Sequence, residues 1–125
     1  MGLLIETIQN TITKLTSQDL KGCKKVANYV FYKCADLTNI ELPSTILSLG
    51  KLCFGDTSSL ASIKFLHSAS DNITFPTAGS SEGAFYNKSA RAINIYTDNE
   101  TIKNYAWSTD GVTATFYHLD GTAWE

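Results

Sequence analysis

The feature that most restricts this chain is a template that repeats after 23 residues. Sliding the sequence by 23 positions lays Val26 on Leu49, Phe31 on Phe54, Leu37 on Leu60, Ile40 on Ile63 and Leu42 on Phe65. A period in the twenties marks a solenoid, in which short units stack and bury together an apolar face that none can bury alone. The sub-pattern L-x-x-I-x-L reads Leu37, Ile40, Leu42 and again Leu60, Ile63, Phe65. Its alternating end predicts a short strand with Ile40 and Leu42 facing inward. Asn39, Glu41, Ser62 and Lys64 then face outward. Parallel stacking places Glu41 beside Lys64, a surface pair worth a few tenths of a kcal/mol. Pro43 ends the first strand because it cannot donate to a ladder. Segments 29–33 and 52–56 form the turn on the other side, with Phe31 and Phe54 driven into the core.

The third unit is irregular. Residues 67–83 are polar and predict a loop, with a short alternating stretch at Ile73 and Phe75. Ala84-Phe85-Tyr86 restates Val30-Phe31-Tyr32. Ile93 and Ile95 are expected at the places of Ile40 and Leu42, with Ala90 for the leading leucine, Asn94 outward and one residue missing from the spacing. Thr97-x-x-Glu100 has capping-box spacing and predicts a short helix toward Trp107, with Ile102, Tyr105 and Ala106 on one face. Asp110-Gly111 reads as a turn. Val112, Ala114 and Phe116 alternate as a closing strand, and Asp120-Gly121 turns toward Trp124.

Ahead of the repeats, Ile5, Ile8, Ile12 and Leu15 follow the a/d spacing of a helical seam over residues 3–16. Isoleucine at both positions favours trimers in parallel coils. The same stripe serves equally to close the end of the solenoid core, and two heptads leave both roles open. Thr11, Ile12 and Thr13 are β-branched and weaken the helix, so it needs packing to persist.

Composition narrows the function classes. The net charge is −2, with +2 on residues 1–51 and −4 on residues 52–125, so no basic face for nucleic acid is expected. The three cysteines, Cys23, Cys34 and Cys53, are odd in number and lack C-x-x-C spacing, so small buried thiols are expected at Cys34 and Cys53. No run approaches the roughly 20 apolar residues of a membrane span. The N-terminus lacks the basic start and apolar core of a secretory signal, which predicts either no export through this end or a leader outside the sequence. His67 and His118 lie outside any nucleophile motif and read as solvated. Asp110 and Asp120 each precede glycine, so turn chemistry explains them better than a glycosidase pair. Three glycosylation-like triplets begin at Asn72, Asn87 and Asn99, and a chain rich in Asn, Ser and Thr produces such triplets by chance. No catalytic, metal or cofactor residues are expected.

The stretch Val30-Phe31-Tyr32-Lys33-Cys34-Ala35-Asp36-Leu37-Thr38-Asn39-Ile40-Glu41-Leu42-Pro43 resembles the BspA-type leucine-rich repeat, A-F-x-x-C-x-x-L-x-x-I-x-L-P. The second unit keeps the apolar skeleton with Cys53 at the alanine place and Thr57 at the cysteine place, and it lacks the proline. The resemblance covers roughly residues 20–96. It implies an α+β molecule: a short repeat solenoid with parallel strands, an N-terminal short helix and a C-terminal helix-strand cap. The expected division is 1–18 for the helix, 19–97 for the solenoid with its loop at 67–83, and 98–125 for the cap. The resemblance further implies a non-enzymatic structural or adhesion module of a phage particle. The alternative is a bacterial cell-surface domain that binds host protein or carbohydrate. The binding sheet would present Asn39, Glu41, Ser62, Lys64 and Asn94.

Overall fold

The structure is a computed structural model and describes residues 12–76 and 81–124. Seven short strands wind into a parallel solenoid of about four turns with little helix. They are β1 (Lys14–Leu15), β2 (Lys25–Val26), β3 (Asn39–Leu42), β4 (Ser48–Leu49), β5 (Ser62–Phe65), β6 (Arg91–Tyr96) and β7 (Val112–Tyr117). The main sheet has the order β1-β3-β5-β6-β7, and β2 and β4 form a second, two-stranded one. Every pairing between these strands is parallel. An isolated bridge from Ser48 to Thr74 extends the smaller ladder into the polar loop.

The apolar template stacks in register. Ile40 lies opposite Ile63, and Leu42 opposite Phe65. The inner row runs Leu15, Ile40, Ile63, Ile95, Phe116, one residue from each strand of the main sheet. On the far side, the turns 29–33 and 52–56 are cross-bonded. Tyr29, Phe31 and Lys33 donate N–H to the carbonyls of Lys51, Cys53 and Gly55, and Leu52, Phe54 and Asp56 to those of Gly83, Ala84 and Tyr86. Each turn opens and closes in the left-handed region, at Tyr29 and Lys33 and then at Leu52 and Asp56. The reversed backbone points the residue between them inward. Phe31 and Phe54 therefore stack at 5.2 Å and 3°, and Phe54 and Phe85 at 5.3 Å and 9°. Trp107 closes this spine 5.1 Å from Phe85.

The third unit departs from the expected register. Ile95, not Ile93, lies opposite Ile63, and Asn94 lies opposite Ser62. The unit carries one residue more between its phenylalanine and its strand, not one fewer. The shift is by two, which preserves the inward and outward faces, so Asn94 still points outward. Thr97, fully buried, then follows where Leu42 and Phe65 sit in their strands. Ala90 is exposed and fills no leucine place. Arg91 stands as far from Phe85 as Leu60 stands from Phe54, and its guanidinium reaches inside. It donates to Thr57 O, to Thr57 Oγ1 at 3.0 Å and to Phe85 O at 2.6 Å. Desolvation pulls its pKa down to about 10, with Asp56 and Asp110 opposing, so it stays charged at neutral pH.

Among the described residues, both ends differ from the helical caps expected. Ile5 and Ile8 lie outside the described residues. Lys14–Leu15 is a strand rather than the end of a helix; Thr38 N–H and Oγ1–H both bond Thr13 O. Leu15 is buried beside Ile40 and Ile12 packs half-buried against the core. The β-branched Ile12 and Thr13 just ahead of the strand favour this extended geometry. At the other end, helix α1 is one turn, Glu100–Lys103, capped by Asn99 and not by Thr97. Thr97 Oγ1 instead accepts Asn99 N–H at 3.0 Å, while Asn99 Oδ1 accepts Ile102 N–H. Asn99 Nδ2 also ties down the loop through Ser68 O and Asp71 O. A 3-10 turn, Trp107–Asp110, follows and ends in left-handed Gly111. Ile102 is buried and Tyr105 half-buried, but Ala106 is exposed. Strand β7 extends the main sheet rather than closing a separate cap.

Candidate functional site: the outward face of the main sheet

Alternation along each strand leaves two rows of side chains on the outward face. The first row is Lys14, Asn39, Ser62, Asn94 and Thr115, one from each strand. The second is Glu41, Lys64, Tyr96 and Tyr117. The residues expected at a binding sheet, Asn39, Glu41, Ser62, Lys64 and Asn94, thus come together on one surface. Ile12 and Leu15 belong to the core side instead.

The sequence did not point to the aromatic part of this face. Tyr96 and Tyr117 stack at 5.0 Å with their planes 20° apart. The signal was present, because Tyr96 lies two residues beyond Asn94 and Tyr117 two beyond Thr115. It needed β7 to be read as a fifth strand of the same sheet. Amphipathic rings of this kind supply much of the binding energy at protein interfaces.

Electrostatics set the details. Glu41 and Lys64 are cross-strand neighbours as expected, but their charges go elsewhere. Glu41 Oε1 accepts Ser17 O–H at 2.7 Å and Ser17 N–H at 3.2 Å. The Ser17 hydroxyl, chiefly, holds the Glu41 carboxyl below its usual range, with Lys64 a smaller contributor. Lys64 Nζ lies 5.9 Å from the Tyr96 ring centre. Among the described residues Lys51 and Glu82 form an ion pair at 3.4 Å, and His118 Nδ1 lies 3.0 Å from Asp98 Oδ1. A shallow trough of about 480 Å³ opens across the face, lined by Lys14, Asn39, Glu41, Ser62, Lys64 and Tyr96. Its lining offers ammonium and amide donors, a fixed carboxylate and a phenol.

Groups that suggested other chemistry are placed apart. His67 is fully buried, not solvated, and its Nε2–H donates to Ile46 O at 2.7 Å. His118 is half-exposed, pairs with Asp98 and stacks on Trp124 at 4.2 Å. Asp110 is buried, accepting Tyr105 O–H at 2.7 Å and Phe85 N–H at 3.2 Å, and burial pushes its pKa upward. Asp120 sits exposed in the tail turn, bonded to Thr122. Cys34 and Cys53 are buried free thiols, pushed up by desolvation to about 11 and about 12. Asn87 and Asn99 are buried, and Asn72 is exposed. Among the described residues no group of three His, Cys, Asp or Glu side chains is placed to hold a metal, and no helix is long and apolar enough to cross a membrane.

A family model for the BspA type leucine rich repeat region, in six copies, matches residues 24–112. The chain belongs to this family. No curated protein and no solved structure matches it. The BspA-type repeat accounts for the geometry just described: Phe31, Phe54 and Phe85 each bring one ring to the spine and are each followed by one strand of the main sheet, whose alternate residues fall on the outward rows. Repeats of this type are interaction and adhesion modules typical of bacterial surface proteins.

Proposed function

We propose that this BspA-type repeat chain is a non-enzymatic recognition module that binds a protein partner through the outward sheet face. The Tyr96–Tyr117 stack beside the trough carries the reading. It places two amphipathic rings among hydrogen-bonding side chains, the composition that interface centres favour. The narrower form of the proposal is a structural or adhesion component of a phage particle. A bacterial cell surface, with host protein or carbohydrate as the target, is the other setting. The homotrimer expected through Ile5, Ile8, Ile12 and Leu15 belongs to the phage form and would rest on Ile5 and Ile8, because Leu15 lies in the core and Ile12 packs against it.

The test uses fluorescently labelled protein on bacterial cells and, separately, on animal cells. Wild-type protein binds one of the two, and which one decides the setting. Tyr96→Ala combined with Tyr117→Ala is expected to weaken that binding at least about tenfold, as for central aromatic anchors. Leu47→Ala, on an exposed side chain away from the sheet face, leaves it unchanged. Equal binding by the tyrosine variant and the wild type contradicts the proposal.

A further inference from the structure

Strand β5 is the middle strand of the main sheet, with β3 and β6 on its two sides. From it Lys64, half-buried, lines the trough on the outward face. Its cross-strand neighbours are Glu41 and Tyr96. These charges lean apart. Glu41 turns toward the end of β1, where Ser17 O–H and N–H hold its Oε1. Lys64 turns toward β6, its Nζ 5.9 Å from the Tyr96 ring centre. The other carboxylates that border the face are also bound within the molecule. Asp19 accepts N–H and O–H from Thr16, itself a trough residue, at 2.9 and 3.0 Å. Asp98, two residues beyond Tyr96, lies against His118 Nδ1 and accepts Leu119 N–H at 3.1 Å. Neither Lys14 nor Lys64 joins an ion pair among the described residues. The face therefore has its acceptors matched and its two ammonium donors unmatched.

We propose that the trough takes an acidic segment of the protein partner, with carboxylates on Lys64 and Lys14 and adjoining side chains against the Tyr96–Tyr117 stack. This rests on the reading of the sheet face as a protein-binding surface and adds the partner's chemistry. Charge complementarity selects the occupant. A basic segment would have to compete with Ser17 for Glu41 and with Thr16 for Asp19. An acidic segment finds ammonium groups that no carboxylate of the chain has engaged. Lys14 and Lys64 stand on strands two apart, about 10 Å across the sheet, a span that neighbouring acidic side chains of one peptide bridge. The Tyr96 ring beside Lys64 leaves the ammonium only partly surrounded by water, and a charge-assisted hydrogen bond gains strength there. Glu41 opposes the same partner by its charge, so its neutralisation tightens the complex, and added salt loosens it.

Fluorescence anisotropy on the full chain at low salt tests this with three labelled probes: poly-Glu, poly-Lys of the same length, and hyaluronate as a carboxylated polysaccharide. Poly-Glu is expected to bind more tightly than either of the others and to weaken as salt rises. Lys64→Gln and Lys14→Gln each lower its affinity about two- to fivefold, the range for an exposed ion pair. Glu41→Gln raises it. Lys33→Gln makes the same charge change at an exposed place on the far turn and leaves it unchanged. Absence of poly-Glu binding at millimolar protein overturns the proposal, as does equal binding of poly-Lys. So does a Lys64→Gln effect no larger than that of Lys33→Gln. Tighter binding of hyaluronate moves the site to acidic polysaccharides and overturns the protein segment. The cell-binding assay separates this from the parent reading. Binding that needs Tyr96 and Tyr117 but neither lysine keeps the sheet face as the interface and removes the acidic partner alone.

Discussion

Phe54→Ala is expected to remove about 3–5 kcal/mol of stability, the range for truncating a fully buried phenylalanine. Phe54 has no exposed surface and is stacked on both faces, by Phe31 and by Phe85. Its removal leaves a cavity at the middle of the spine, between turns that ladder hydrogen bonds hold at fixed separation. The neighbours cannot collapse into the gap without breaking those bonds. Phe31, stacked by Phe54 alone along the spine and slightly exposed, is expected to cost less on the same substitution. Urea unfolding followed by circular dichroism measures both. A loss at Phe54 smaller than that at Phe31 contradicts the stacked arrangement.

Gly83→Ala has the second large effect, and its cause is space rather than backbone freedom. Gly83 is not among the positive-φ residues. A Cβ built on it would lie 1.6 Å from Asp110 Oδ1 and 2.4 Å from its Cγ. The carboxylate cannot swing clear without losing Tyr105 O–H and Phe85 N–H, its two bonds in a buried setting. Overpacking and the lost bonds together are expected to cost about 3 kcal/mol or more. Asp110→Ser in the same chain shortens the obstructing group. The double variant is therefore expected to be more stable than the sum of the two single losses implies. Strict additivity in thermal or urea unfolding contradicts the close packing of Gly83 on Asp110.

The large template was readable because it rests on apolar residues at fixed spacing. Phe31 over Phe54 and Ile40 beside Ile63 follow from the period alone, and the outward places of Asn39, Glu41, Ser62, Lys64 and Asn94 follow from alternation. The third unit was less readable because its slots hold polar residues. Arg91 stands at leucine spacing from Phe85 and satisfies itself on Thr57 and the Phe85 carbonyl, while Thr97 is buried beyond Ile95. An apolar template therefore locks onto Ile93 and misses the register by two. His67 hid for a similar reason, since one polar residue in a polar loop gives no sign that its ring turns toward Ile46 O. The a/d spacing through Leu15 was misleading in its turn. Leu15 meets that pattern, yet the sheet offers it Ile40 as a neighbour, and tertiary contact outweighs local periodicity. The tyrosine stack depends on a pairing between β6 and β7 that no repeat spacing announces.

The register of the third unit is the sharpest test of the solenoid as a whole. Isoleucine methyl labelling and nuclear Overhauser spectroscopy in solution read it directly. The arrangement described here predicts strong cross-peaks from Ile63 to both Ile40 and Ile95. No Ile40–Ile63 cross-peak, or a stronger one from Ile63 to Ile93 than to Ile95, contradicts it.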